Sequence, residues 1–249
     1  MTIDLAIDLL ATKEAILVFT GAGISTESGI PDFRGPDGVW TKVDPADFTI
    51  QRYLESPETR RRSWSMRAHS GVLDAVPNEG HAAVVELWRA DRLSGCVTQN
   101  IDGLHSAAGL PPDVIVELHG NAHNTRCLEC GEVTDTAAVL SRVESGEDDP
   151  RCERCGGILK VDVVFFGEAM PEREMMRAMA MAGAADAVIA VGSTLSVYPA
   201  SDIPLIAVED GAPLIIVNRG PTELNHAADV KIDGPAGATL TAIVAALKD

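Results

Sequence analysis

Basic residues are scarce in this chain: 20 Lys and Arg stand against 37 Asp and Glu, for a formal net charge of −17 and a pI near 4.6. Such a surface repels phosphate, which argues against direct binding to nucleic acid and against attachment to an anionic membrane. The charge reads as a solvated acidic surface, with a preference for basic protein substrates as the alternative. A basic leader is also lacking. Residues 1–10 carry acids and no Lys or Arg, so they do not read as a signal peptide, and the expected location is cytoplasmic. No apolar run approaches the length of a membrane span, and there is no internal repeat or long low-complexity linker. What remains is 249 residues, 46% hydrophobic and 23% charged, enough to bury a full core.

Cysteines number only five. An odd count in a chain without a leader argues against a disulfide framework. Cys127, Cys130, Cys152 and Cys155 form two Cys-x-x-Cys pairs separated by 21 residues. Two such knuckles supply four thiolates to one tetrahedral Zn²⁺, which leaves no open catalytic position, so the predicted metal is structural. Gly131 and Gly156 follow the second cysteine of each pair and suit the sharp turn of a knuckle. Cys96, within an apolar segment, reads as an inert core thiol.

Short apolar, β-branched segments recur at residues 15–19, 95–98, 114–116, 161–165, 187–191, 214–217 and 230–232. Helical spacing marks residues 81–90 and 172–182 between them. Continuous apolar strands alternating with helices predict an α/β fold with a doubly wound, mostly parallel, Rossmann-like sheet. Two stretches break that rhythm. Residues 36–77 carry Pro, Gly and a charged helical pattern, and residues 126–160 hold the four cysteines and an acidic tract at 144–149 that reads as a solvated loop. Both are expected to be insertions, one helical and one zinc-binding, that form a smaller domain. Residues 1–35, 78–125 and 161–249 would then form the larger, Rossmann-like domain.

Residues 21–35 read GAGISTESGIPDFRG, directly after the first apolar segment. Glycines there permit a tight turn, and a helix start adds its positive end for a pyrophosphate. Thr26 stands where the third glycine of G-x-G-x-x-G would fall, so this is not the ordinary dinucleotide fingerprint, and G-x-G alone is weak. Two further clusters also follow apolar segments: TQNIDGLH at 98–105 and ELHG at 117–120. His119 could abstract a proton near neutral pH, while Asn100 and Asp102 could equally be capping residues.

Together with VVFFGE at 163–168, GSTLSVYPA at 192–200, IVN at 216–218 and the zinc cysteines, these blocks resemble the sirtuins, NAD-dependent protein lysine deacylases, in the family's order. The resemblance implies a deacetylase that consumes NAD as a co-substrate and releases nicotinamide, O-acetyl-ADP-ribose and the freed lysine. The acyl oxygen would meet C1′ of the nicotinamide ribose as nicotinamide leaves. His119 would then activate a ribose hydroxyl against the alkylimidate so formed. His119, Asn100 and Asp102 take the catalytic places, and Asp102 would hold the carboxamide. Gly21, Ala22, Gly23, Thr26, Phe33 and Arg34 map to the cofactor loop, with Gln99 and Ile101 beside Asn100. Gly192, Ser193 and Thr194 map to a second phosphate and ribose contact, Asn218 to the adenosine ribose, and Ala236 is placed by distance alone. Val164, Phe166 and Gly167 map to an extended segment that pairs with the substrate backbone and walls the lysine tunnel. The implied partners are acyl-lysine proteins, and the oligomeric state is left open. Relatives that prefer acidic acyl groups carry Tyr-x-x-Arg, whereas this chain has Trp64-x-x-Arg67, so acetyl or another neutral group is expected. The alternatives are mono-ADP-ribosyl transfer to protein and a non-catalytic NAD- or ADP-ribose-binding regulator.

Overall fold

In the computed structural model, residues 2–35 and 38–248 are described; the expected boundary at residue 36 lies outside them. The strands are β1 (Ile16–Thr20), β2 (Leu93–Thr98), β3 (Ile115–Glu117), β4 (Gly120–Cys127), β5 (Val133–Asp135), β6 (Leu159–Val163), β7 (Ala187–Val191), β8 (Leu214–Val217) and β9 (Val230–Ile232). The helices are α1 (Thr2–Leu10), α2 (Ile50–Glu55), α3 (Pro57–Ala68), α4 (Glu79–Arg89), α5 (Leu104–Ala107), α6 (Thr136–Glu144), α7 (Glu172–Gly183), α8 (Ile203–Glu209) and α9 (Ala236–Ala246).

Six strands form one parallel sheet in the order β3-β2-β1-β7-β8-β9. The apolar runs are continuous because both faces are covered. Ile16 and Val18 point into one core with residues of α1, α4 and α9, while Leu17 and Phe19 point into the other with residues of α7 and α8. The chain order reverses between β1 and β7. The carboxyl ends of those two strands therefore border the crevice in which a doubly wound sheet binds its ligand. Cys96 lies within the first core, as an inert thiol should, and burial pushes its pKa far up.

The second sheet is antiparallel, β5-β4-β6. Residues 161–165 had been grouped with the parallel strands, but their strand pairs with β4. An apolar run signals burial on both faces, and here that burial comes from a third core containing Tyr53, Trp64, Val139, Leu159 and Phe165. The polar β4, GNAHNTRC, gave no such signal. This sheet thus runs from Gly120 to Val163, past both ends of the cysteine-bearing stretch.

The acidic tract is not merely a solvated loop. Asp149 accepts three hydrogen bonds from the guanidinium of Arg60, from Nε at 2.9 and 3.2 Å and from Nη2 at 3.0 Å, and Arg60 also donates to the Tyr53 and Leu54 carbonyls. Tyr53 donates its hydroxyl to the Leu159 carbonyl at 2.7 Å. The helical insertion is thereby fastened to the cysteine-bearing sheet.

Candidate active site and metal centre

At the crevice the backbones of two turns touch. Gly21 N–H donates to the Val191 carbonyl at 3.0 Å and Gly23 N–H to the Gly192 carbonyl at 2.8 Å. A Cβ on Gly23 would lie 2.6 Å from Gly192 Cα, and Gly192 itself has φ +65°, so side chains are excluded from both. The result is a close crossing of two backbone turns at the ends of β1 and β7, beside the 3₁₀ turn Ala22–Ile24. Thr26 donates its hydroxyl to the Gly23 carbonyl at 3.0 Å and stiffens the turn. Across the crevice, Gln99 Nε2 donates to Ser193 Oγ at 2.8 Å, and Thr194 and Ser196 share a hydroxyl hydrogen bond. These residue types suit a dinucleotide: a glycine-rich 3₁₀ turn at a strand end, with hydroxyl and amide groups beside it.

Asn100 and Asp102 stand at the end of β2, both nearly buried. Asn100 Nδ2 donates to the Gly21 carbonyl and to Ser25 Oγ, at 3.2 and 3.1 Å. Ser25 donates to Asp102 Oδ2 at 2.7 Å, and Asp102 Oδ1 accepts from Leu104 N–H at 2.9 Å. Both Asp102 oxygens thus have protein donors, and the carboxylate helps set the loop that carries Ile101.

His119 is half-buried just before β4. Its Nδ1 lies 2.9 Å from the Gln99 carbonyl, which can only accept, so Nδ1 carries the proton and Nε2 the free lone pair. Burial lowers its pKa below the ordinary imidazole value, while the Gln99 hydrogen bond acts the other way. The ring is therefore neutral at pH 7 and able to accept a proton. The His119 carbonyl accepts from Val164 N–H at 2.9 Å, which ties the histidine to the segment carrying Phe166 and Gly167. Phe166 and Phe33 are 46% and 39% exposed, large rings left facing solvent. Arg34 is exposed beside Phe33.

Asn218 and Ala236 lie at the ends of β8 and the start of α9, both nearly buried. Asn218 already uses its amide on the Arg219 carbonyl at 2.8 Å.

Several site residues carried no sequence signal. Ser25 is the hub between Asn100 and Asp102. His81 Nε2 lies 3.4 Å from Ser25 Oγ, and His105 Nε2 lies 3.0 Å from Thr20 Oγ1, their rings 4.9 Å apart. Ser25 and His105 fall inside recognised blocks, but only the fold brings them to His81. Lys160 is a further omission: buried, it donates to Glu168 Oε2 at 3.0 Å and to the Val163 carbonyl, and the same Glu168 oxygen accepts from Phe165 N–H. That ion pair braces the 164–167 segment from beneath.

Cys127, Cys130, Cys152 and Cys155 bring their Sγ atoms within 4.8 Å of one another, with closest pairs at 3.5 and 3.8 Å. Zinc–sulfur bonds of about 2.3 Å put tetrahedral sulfurs roughly 3.8 Å apart, so the four thiolates fit one structural Zn²⁺. The cluster closes the far end of β4, which at about 3.3 Å per residue is roughly 26 Å along the strand from His119.

Trp64 is buried and its Nε1 has no hydrogen-bond partner. Arg67 lines a cavity of about 220 Å³ between α3 and α6, together with Asp74, Ser141 and Glu144.

A sequence profile of the Sir2 family matches residues 21–199. The NAD-dependent protein deacetylase 2 of Streptomyces coelicolor is 44% identical over 237 residues, 94% of this chain and 98% of that protein. Among solved structures, a Sir2 enzyme aligns with a TM-score of 0.91 at 42% identity, covering 99% of this chain and 98% of its own. A Sir2 histidine-to-alanine variant, bound to a deacetylated p53 peptide and 3′-O-acetyl-ADP-ribose, aligns at 0.90 and 34% identity over 96% of each chain.

Proposed function

This chain belongs to the Sir2 family, and we infer from the family and the site together that it is an NAD-dependent protein lysine deacetylase. NAD supplies an electrophilic ribose C1′ with nicotinamide as leaving group, and the other tasks fall to the chain's own residues. The turns of Gly21, Gly23 and Gly192 take the pyrophosphate, with Ala22, Thr26, Ser193 and Thr194 around it. Asn218 and Ala236 border the adenosine end. Asn100, Ile101 and Asp102, held by Ser25, position the nicotinamide ribose, and Gln99 fixes their loop against Ser193. Phe33 covers that ribose and Arg34 meets an anionic group of the cofactor. Val164, Phe166 and Gly167 receive the acyl-lysine segment, with Val164 linked through its N–H to the histidine that acts on the acyl group. His119 Nε2 takes the proton of a ribose hydroxyl.

The observation that carries the reading is the fixed tautomer of His119. Its lone pair is free on Nε2, on the same strand-end rim as Asn100 and Asp102. With the pKa lowered by burial, the acid limb of the activity should lie below pH 6.5, because the base loses function only when it is protonated.

The small domain built from residues 36–77 and 126–160 is part of the same reading, supported by a core of its own. We place the protein in the cytoplasm because four free thiols forming a metal-sized cluster suit a reducing compartment. No helix among the described residues is long and apolar enough to cross a membrane.

The test is His119→Ala. Loss of a general base lowers the rate by roughly 10²–10⁴-fold, while binding should change little. Near-normal NAD affinity, residual nicotinamide exchange and almost no deacetylated peptide are expected. Deacetylation at the wild-type rate would overturn the assignment. Unmutated protein that binds NAD but consumes none with any acyl peptide would point instead to a regulator.

A further inference from the structure

Trp40 was not marked by any motif, yet it is the shared neighbour of two exposed rings, Phe33 and Phe166. Its ring centroid lies 5.2 Å from Phe33 and 6.0 Å from Phe166, and it meets Phe48 edge-on at 5.1 Å. Backbone ties run to both sides. Trp40 N–H donates to the Phe33 carbonyl at 3.1 Å and Val39 N–H to the Asp32 carbonyl at 2.9 Å, so the Trp40 turn is hydrogen-bonded to the cofactor loop. Phe166 N–H donates to the Phe48 carbonyl at 2.9 Å, and Ile50 N–H to the Phe166 carbonyl at 3.0 Å, so the substrate segment is paired with the same insertion. Gly38, at the base of the turn, lies so close that a Cβ there would sit 2.7 Å from the Phe33 carbonyl carbon. Close-packed rings of this kind pass displacement on rather than absorb it.

We propose that Trp40 is a positioning residue that couples the two substrates: seating the ribose under Phe33 and seating the acyl-lysine segment against Phe166 both set the same indole, so each ligand favours the other. This rests on the assignment of Phe33 to the cofactor and Phe166 to the peptide. Coupling is reciprocal in binding free energy, so it can be read on either ligand. One aromatic pair is equivalent to roughly two- to tenfold in an equilibrium constant, which sets the size of the effect.

ADP-ribose is the probe, because it occupies the dinucleotide site without being consumed. Its Kd is measured by calorimetry with and without a saturating acetyl-lysine peptide, for wild type, Trp40→Leu, Trp40→Phe and a Trp88→Phe control on α4. Peptide should tighten ADP-ribose binding by about two- to tenfold in wild type and Trp88→Phe. Most of that factor should survive in Trp40→Phe, and in Trp40→Leu it should fall to near one even where the separate affinities move little. An unchanged factor in Trp40→Leu, or no coupling in wild type, would overturn the proposal. A wild-type protein that binds neither ligand would refute the deacetylase reading itself. Should Trp40→Leu not fold, the ¹⁵N indole signal missing from Trp40→Phe identifies Trp40 in wild-type spectra. It should shift with either ligand alone, and a response to only one of them overturns the coupling.

Discussion

Acidification should destabilise this protein through His105. The side chain is 3% exposed, Nδ1 has no hydrogen-bond partner, and Nε2 meets only Thr20 Oγ1. Burial first, and the neighbouring His81 second, push its pKa down to about 3 from 6.5. The folded state therefore refuses a proton that the unfolded chain accepts below about pH 6.5. The stability tied to the neutral ring is fully present above pH 6.5 and is lost progressively as pH falls towards 3. At pH 5.0, 1.5 units below the unfolded value, the loss is about 2 kcal/mol at 1.36 kcal/mol per unit. His81 and His119 act in the same direction, because burial lowers both, whereas the raised pKa of the half-buried Glu117 opposes them. The His119 and Glu117 contributions cancel when wild type is compared with His105→Phe, and a His81→Phe background removes the contribution of the ring in contact with His105. Urea unfolding at pH 7.5 and 5.0 should show wild type losing about 2 kcal/mol more than the variant between the two conditions. Parallel losses in the two proteins would refute the argument, since the variant has no imidazole at 105 to protonate.

Removing one partner of the buried Arg60–Asp149 pair leaves an uncompensated charge. Arg60→Met should therefore cost about 3 kcal/mol in urea unfolding, near the low end for such pairs because Arg151 still reaches Asp149, and a neutral result would refute the buried-charge account. Metal analysis should find about one Zn²⁺ per chain, and Cys127→Ala should loosen the small domain and lower solubility and activity; zinc-free protein with full activity would contradict this. On matched peptides, deacetylation should exceed desuccinylation in kcat/KM. Trp64 offers no phenolic hydroxyl, so a buried acyl carboxylate would lack that hydrogen-bond donor. A reversal abolished by Arg67→Ala would show that Arg67 does clamp such a group.

Much of the fold is legible in the chain because its signals are local. Strands buried on both faces read as unbroken apolar runs, as at 187–191 and 214–217, and the helices between them carry their own period. Two Cys-x-x-Cys pairs at a fixed spacing announce a tetrahedral thiolate site on chemistry alone. The glycine turn at 21–23 and the ELHG block mark the strand ends where the backbone crossing with Gly192 lies and where His119 lies. Tertiary structure decided what depends on residues far apart in sequence. An apolar run at 161–165 reports burial but not which sheet supplies it, and the partner strand β4 is too polar to read as a strand. Ser25, His81 and His105 become one group, joined by a hydrogen bond and an edge-on ring contact, only once β1, α4 and α5 are packed. Asp149 looked like solvated charge until the fold set Arg60 against it, 89 residues away. Trp40 gained its place between Phe33 and Phe166 in the same way, because a ring contact across 126 residues has no periodicity for the chain to display.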